Sequence, residues 1–404
     1  MYTTVKALME NILNFLNRYW RLLLVGVFVA LLAYVFLFRG LNTLTGSLYS
    51  QTEIQSQQQS ASLTTIYHNP VNAPYKALVW LGLKLGHHSI LVTRVAAASL
   101  AVGVAVLFYW VALHWYSKRV ALMATVLFVS SSGFLHIGRS GTGLILQMAT
   151  LALISCVFLY RRTKHEYIMA YLLLAILAAI LYIPGMVWFE LIGLYLMRKR
   201  ILQLFRKMGR VHTGLIWGLG IVLLAPLLWV SAHNTSILRE IAGLPASIPS
   251  LKQLAENTLH LVSSVGYRGY WPTEFWLYGA PLLNIGEVIL FITGFVLLLK
   301  KPILRGNYFL LGALVVSTVL ILLGGSATIA MLTPLAYLTI AGGLFYLLDQ
   351  WLSIFPRNPI ARFTGIALIG VLGFFSVLYH IGAYYTAWPN APETKAVYTV
   401  VQPS

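Results

Sequence analysis

Charge is scarce in this chain. Only 9% of its 404 residues are charged, against roughly 25% in a soluble domain, so most of the chain cannot face water. Acids are scarcer still: ten carboxylates stand against 28 Lys and Arg, and Asp349 is the lone aspartate. Cys156 is the single cysteine, so no intramolecular disulfide can form and a disulfide-stapled ectodomain is excluded. The ten histidines include one adjacent pair, His87–His88, with no carboxylate or cysteine at ligand spacing. The run "GRSGTG", Gly138 to Gly143, lacks the P-loop lysine and the Rossmann spacing, so it predicts no nucleotide site. Neither a metal nor a cofactor is expected.

What is present is apolar. Hydrophobic residues make up 59% of the chain and mean hydropathy is +0.80. Several apolar runs reach the ~20 residues that a helix needs to cross hydrocarbon. They predict an all-α polytopic membrane protein with about eleven spans. The spans cover roughly 20–38, 89–113, 119–136, 142–160, 167–182, 184–197, 212–232, 282–299, 307–324, 327–347 and 363–385. A barrel would show short alternating strands instead. The first run is too long for a signal peptide and has no small-residue cleavage site after it, so it is expected to stay as a span. The fifth and sixth runs are short and are separated by "YIPG", Tyr182 to Gly185.

The net charge of +18 has an orienting role. With the N-terminus on the cytoplasmic side, 19 of the 28 cations fall on inner segments, in groups such as Arg198, Lys199, Arg200, Arg206, Lys207 and Arg210. Cationic flanks are retained on the cytoplasmic side, which predicts a cytoplasmic (inner) membrane protein with its C-terminus outside. The membrane is therefore the expected partner, and a nucleic acid is not. Four segments result: an N-terminal membrane module 1–232 that includes a first outer loop 39–88, a second outer loop 233–281, C-terminal membrane helices 282–385 and a short outer tail 386–404. In the first loop, "NPVNAPYKALVWLGLKLGHH" puts Leu78, Leu81 and Leu85 on one helical face, with Lys84 nearby. Too short and polar to span, it is expected to lie in the interface.

The acids divide by depth. Glu10, Glu166 and Asp349 fall on the inner side, and Glu53, Glu240, Glu256, Glu274 and Glu393 on the outer. Glu190 and Glu287 fall within spans, where an ionisable side chain is costly and a functional candidate by default. Glu287 lies about one turn below the outer surface, within reach of water; Glu190 is deeper and is a candidate either for lipid-phosphate or proton work or for a helix–helix hydrogen bond. Glu53 stands in "GSLYSQTEIQSQQQS", directly after the first apolar run.

The run from "NAPYKALVWLGLKLGHHSILVTR" through "HWYSKRVAL" to "HIGR", His136 to Arg139, resembles the N-terminal module of the GT-C membrane glycosyltransferases. Among these it is similar to the bacterial relatives of protein O-mannosyltransferases and of the lipid A aminoarabinose transferase. The shared features are a proline-led interfacial helix ending at Gly86, Arg94 opening the next span, an aromatic-basic inner turn and an arginine at the following exit. The later "TPLAYLTIAGGLFYLLDQW" resembles a late span of these enzymes. The resemblance implies transfer of a sugar, with inversion, from a polyprenyl-phosphate donor to an acceptor that is a glycan, a lipid or a protein. It implies Glu53 as general base, here in a Thr52-Glu53 pair where relatives usually carry Asp-Glu, and Arg139 beside the lipid phosphate. Arg94, Lys84 and Arg268 are further cationic candidates. Tyr267, Tyr270, Trp271, Trp276 and Tyr278 stack on sugar or isoprenoid, or form an interfacial belt. Relatives usually carry a second acid four residues after the arginine, where this chain has Gly143. Either Glu53 works alone, or Glu190, Glu256 or Glu274 supplies the missing charge, or the scaffold binds lipid without catalysis. A transporter is disfavoured by the lack of paired broken helices in two matching halves.

Overall fold

The computed structural model describes residues 31–86, 89–162, 166–300 and 305–401. The first part of the first expected span, the cations Lys6, Arg18, Arg21, Lys164 and Lys301, the acid Glu10 and the His87–His88 pair lie outside the described residues.

A helical turn at Tyr34–Phe38 ends the first apolar run, and β1 (Leu48–Tyr49) follows. Three short helices then make up the first long loop: α1 (Gln51–Gln59), α2 (Leu63–His68) and α3 (Ala73–Lys84). Next come α4 (Leu91–Trp115), α5 (Lys118–Ser130) and α6 (Ser132–Arg139). A 3-10 stretch at Gly143–Ala149 leads into α7 (Thr150–Arg162) and α8 (Glu166–Ile180). The second half holds α9 (Met186–His233), α10 (Thr235–Ile241), α11 (Leu251–Gly266), α12 (Ile285–Lys300), α13 (Arg305–Leu322), α14 (Ile329–Ile354) and α15 (Pro359–Gly382). The last of these runs on to Asn390 before α16 (Pro392–Val397) and β2 (Val400–Val401). Among the described residues the one sheet is the antiparallel β1–β2 pair, with Leu48 opposite Val401 and Tyr49 opposite Val400.

Among the described residues, four helices are long and apolar enough to cross a membrane: α4, α9, α14 and the continuous Pro359–Asn390. A fifth span forms if α5 and α6, bent by 59° at their junction, count as one. The bend has a local cause. Ser131 leaves helical geometry at ψ 137°, and its Oγ accepts the Phe134 N–H at 3.2 Å, so one residue ends α5 and caps α6. Three more apolar helices, Gly143–Cys156, Tyr167–Ile180 and Asn307–Leu322, are shorter than a full span.

α9 is two arms. Straight, 48 residues would extend about 72 Å, more than twice the hydrocarbon thickness. Gly209 breaks it at φ 71°, ψ 171°, a conformation favouring glycine. The Gly185 N–H, just before α9, donates to the Ile241 carbonyl just after it at 2.8 Å, so the chain has returned to its starting end. The turn carries the basic cluster Arg198 to Arg210, where the sequence predicts a break between two spans.

α14 is central: 78% of its apolar stretch is buried, against 11% for α9 and for the last long helix. Its closest neighbour is α12. A Cβ at Gly294 would meet the Thr339 carbonyl, and one at Gly343 would meet that of Leu290, so the two backbones touch through glycine. Such close approach is the usual device of helix packing in lipid, where no hydrophobic force drives helices together. α4, α5 and α6 pack around this pair. They bring the beginning of α4 and the end of α6 to one end of the bundle, under the α1–α3 loop.

Candidate functional site

Glu53 enters the site through a helix start. Ser50 caps α1: its Oγ accepts the Glu53 N–H at 3.3 Å, and the Glu53 carboxylate accepts the Ser50 N–H at 3.1 Å. This reciprocal pair is the capping box of the Ser-x-x-Glu pattern. The carboxylate also takes a two-pronged grip from Arg94, Nε to Oε1 and Nη2 to Oε2, each 2.8 Å. The Gly141 N–H completes the set at 2.8 Å from Oε1. Four donors thus fill the lone pairs of a side chain that is 1% exposed.

Arg94 is equally engaged. Its remaining N–H groups reach the Leu41 carbonyl at 2.7 Å, Thr45 Oγ1 at 3.2 Å and the Leu48 carbonyl at 2.9 Å, and its guanidinium lies 4.4 Å from the centre of the Tyr49 ring. The pair therefore ties α1 to α4 and fixes the loop between them.

Arg139, the last residue of α6, faces the same space. It donates to the Phe36 and Arg39 carbonyls at 2.8 Å each, to Tyr384 Oη at 3.1 Å and to Tyr385 Oη at 3.3 Å. No carboxylate is among these partners. The end of the first helical run and two phenols surround a guanidinium that is 3% exposed, and carbonyls at a helix C-terminus favour a cation there.

Between these groups lies a cavity lined by Leu41, Leu44, Thr45, Glu53, Arg94, His136, Arg139, Ser140, Tyr384, Trp388 and Tyr398. Its free volume of about 10 Å³ is room for a single water molecule. His136 is 1% exposed, and both its ring nitrogens lack a hydrogen-bond partner. The Glu274 main chain lies near the ring, outside hydrogen-bonding geometry. Trp388 stands edge-on to it at 5.1 Å.

Of the residues singled out from the sequence, three therefore meet: Glu53, Arg94 and Arg139. The other three do not join them. Lys84 is exposed and lines a separate open groove of about 480 Å³ with Gln57, Gln58, Ala61, Leu83 and Gly86. Arg268 is exposed on the second long loop. Glu190, on α9, is 4% exposed with Oε1 unpartnered, and does not line the cavity. The aromatic group of that second loop does not act as one surface either: Trp276 is fully buried against Gly133, while Tyr267 is 81% exposed.

Glu287 does not reach water. It is fully buried, its Oε2 is 2.8 Å from His380 Nε2, and it accepts from Ser376 Oγ at 2.6 Å, the Asn284 N–H at 3.1 Å and Tyr337 Oη at 3.1 Å. His380 Nδ1 in turn lies 3.1 Å from Ser132 Oγ. This network joins α6, α12, α14 and α15 inside the bundle.

Position 143, where the resemblance drawn from the sequence leads one to expect a second acid, has no space for one. A Cβ there would lie 2.9 Å from Asn72 side-chain atoms. A Cβ at the neighbouring Gly141 would meet Thr93 and come within 3.0 Å of the Glu53 side chain; the bare glycine lets its N–H reach the carboxylate, so the "GRSGTG" run grips the carboxylate instead of a phosphate.

Sequence reasoning passed over two parts of the site. The Ser50-x-x-Glu53 spacing is itself a capping signature and signals a structural duty for the acid. Tyr384, Trp388 and Tyr398 come from the distal end of the chain, and no local pattern ties them to residues 36–53.

These features define a helical protein with four to five helices, among the described residues, long and apolar enough to cross a membrane, and with a small polar cavity lined by two arginines at one end of its bundle. No protein-family model matches the chain, and the search of curated proteins finds no match. Among the described residues, no group of three or more His, Cys, Asp or Glu is placed to hold a metal.

Proposed function

We propose that the chain is a GT-C-like membrane glycosyltransferase of about eleven spans in the inner membrane, N-terminus inside and C-terminus outside. It moves a sugar from a polyprenyl-phosphate donor to a glycan, lipid or protein hydroxyl at the outer face. The observation that carries this reading is the shared cavity: one carboxylate, Glu53, and a buried guanidinium without a carboxylate partner, Arg139, line the same space. A lipid phosphate gathers charge as it leaves, and a fixed guanidinium stabilises that charge. Glu53, the base implied by the family resemblance, has to release one of its four donors before it can take a proton; the Ser50 N–H, at 3.1 Å, is the longest contact.

The test is a transfer assay on purified full-length protein in nanodiscs, with a panel of synthetic decaprenyl-phosphate pentoses and hexoses. Wild type is expected to release decaprenyl phosphate from one of them, and Glu53→Gln and Arg139→Gln each to slow release at least ~100-fold. No release from any donor removes the reading. The filled lone pairs of Glu53 favour a second reading, in which the same scaffold binds a polyprenyl phosphate without chemistry. Saturable binding of decaprenyl phosphate without turnover selects it.

A further inference from the structure

We infer that His136 is the proton acceptor of the cavity, the side chain that receives the hydroxyl of the sugar acceptor and takes its proton. The inference rests on the transferase reading and moves the proton-accepting role from Glu53, the base implied by the family resemblance, to a residue for which that resemblance implies no role. Three observations carry it. His136 is as buried as Glu53, yet both its ring nitrogens are unpartnered, whereas Glu53 has four donors. A buried polar atom without a partner costs about 1–3 kcal/mol, so an imidazole left open at both nitrogens needs a reason. Second, the ring lines the cavity, whose free volume matches one oxygen-sized group. Third, His136 stands three residues before Arg139 on α6, so the two share a face of that helix.

A neutral imidazole offers one acceptor nitrogen and one N–H. In the step proposed, the acceptor O–H gives its proton to that nitrogen, and the oxygen lone pair forms the new bond to the anomeric carbon. The bond from that carbon to the donor's phosphate oxygen breaks, and its electron pair leaves on the lipid phosphate beside Arg139. The proton later passes from the imidazolium to phosphate or water, and the ring returns to neutral. Glu53 and Arg94, locked together, hold the wall against which this happens. The charged and titratable groups around the ring are Glu53 on α1, Arg94 on α4, Arg139 on α6 itself, Tyr384 and Tyr398 from the C-terminal segment, and Glu274, whose main chain faces the ring. Among the cavity's side chains, Glu53 and the imidazole alone carry a basic acceptor, and of these two only the imidazole is without a hydrogen-bond partner.

The experiment compares wild type, His136→Gln, His136→Asn and Glu53→Gln as full-length protein in nanodiscs, using whichever decaprenyl-phosphate sugar wild type turns over. Both His136 variants are expected to lose at least ~100-fold in kcat, with donor KM changed less than about threefold. They should also lose the fall in rate toward acid pH that wild type shows as its base is protonated; Glu53→Gln should keep that fall. Thermal unfolding serves as the folding check, and two amides of different reach guard against one failing to fold. A His136 variant within about threefold of wild-type kcat, or one that keeps the acid limb, overturns the assignment. A second readout separates this failure from failure of the transferase reading. In protein carrying ¹⁵N-histidine, saturating decaprenyl phosphate should shift the His136 ring signals. Signals that shift while no donor is turned over sink the transferase reading and the proton step with it. Signals that stay put, beside active transfer, sink His136 alone.

Discussion

At the scale of single residues, Glu53 and Arg94 are best understood as one unit. Nine donor–acceptor positions, four on the carboxylate and five on the guanidinium, are all filled, two of the contacts being shared between the partners. Removing one member of a buried pair leaves an uncompensated charge, at a cost of about 3–5 kcal/mol. Arg94→Leu should therefore lower the unfolding midpoint in mild detergent strongly. The double variant Arg94→Leu/Glu53→Leu should recover part of the loss, because no orphan charge remains; equal, additive losses would show that the pair is not coupled. The same residue scale gives a pH prediction outside the spans. Burial lowers the Lys76 amine from 10.5 to about 8, with the Glu240 carboxylate acting in the opposite direction. Between those two values the unfolded chain holds a proton that the folded chain does not, so folding gains stability as pH rises through the window. Wild type measured against Lys76→Met should show that gain from about pH 8 to 10.5, and parallel curves would contradict it. Some of this residue chemistry was legible in the sequence. Glu53, Arg94 and Arg139 stand out as candidates, but their sequence distances say nothing of who pairs with whom, and Arg94 proves to be the clamp on Glu53.

At the scale of elements, the apolar runs predict helices, and their break points obey local rules that the runs themselves hide. Ser131 both ends α5 and caps α6, and Gly209 folds α9 back on itself. An apolar stretch gives length; the single residue that redirects it has little effect on hydropathy. Glu287 shows the reverse case. From sequence it lies near the surface, but His380, 93 residues later, keeps it inside. The glycine at position 143 belongs here too, because its meaning depends on the loop it touches. If the chain had merely lost a family carboxylate, Gly143→Asp would restore it harmlessly. The packing against Asn72 argues otherwise: the new Cβ must displace that side chain, which holds a left-handed backbone conformation at φ 57° in front of α3. Gly143→Asp should lower the unfolding midpoint without raising transfer, and Gly143→Asp/Asn72→Gly should regain stability. A fully stable Gly143→Asp protein would disprove the steric account.

At the scale of the whole molecule, the site is closed by chain segments from opposite ends of the sequence. The first apolar run leads into β1, and the last long helix carries Tyr384, Tyr385 and Trp388 to the cavity before α16 turns the chain back to β2. Composition predicts a short tail after the last span; it carries no sign that a residue of that tail, Tyr398, lines the cavity. The reason is physical: two residues of β-ladder and one buried tyrosine leave no periodic mark in sequence, and their value lies only in what they cover. Tyr398 is 4% exposed, lines the cavity and has the Arg94 guanidinium 5.8 Å from its ring centre. Burial, with the Glu53 charge nearby, holds its phenol well above the ordinary tyrosine range, so it stays neutral at any pH the protein meets. Removing residues 398–404 should therefore leave the helical bundle intact, since no spanning helix loses a residue. It should unpair β1, admit water to the Glu53–Arg94 clasp and raise hydrogen exchange at the amides of residues 48–53. Those amides include the Ser50 and Glu53 N–H groups of the cap, so the loosening should spread into the start of α1 and stop where α3 packs on α4. Exchange at residues 48–53 as slow as in the full chain would mean that the tail lies over the site without closing it.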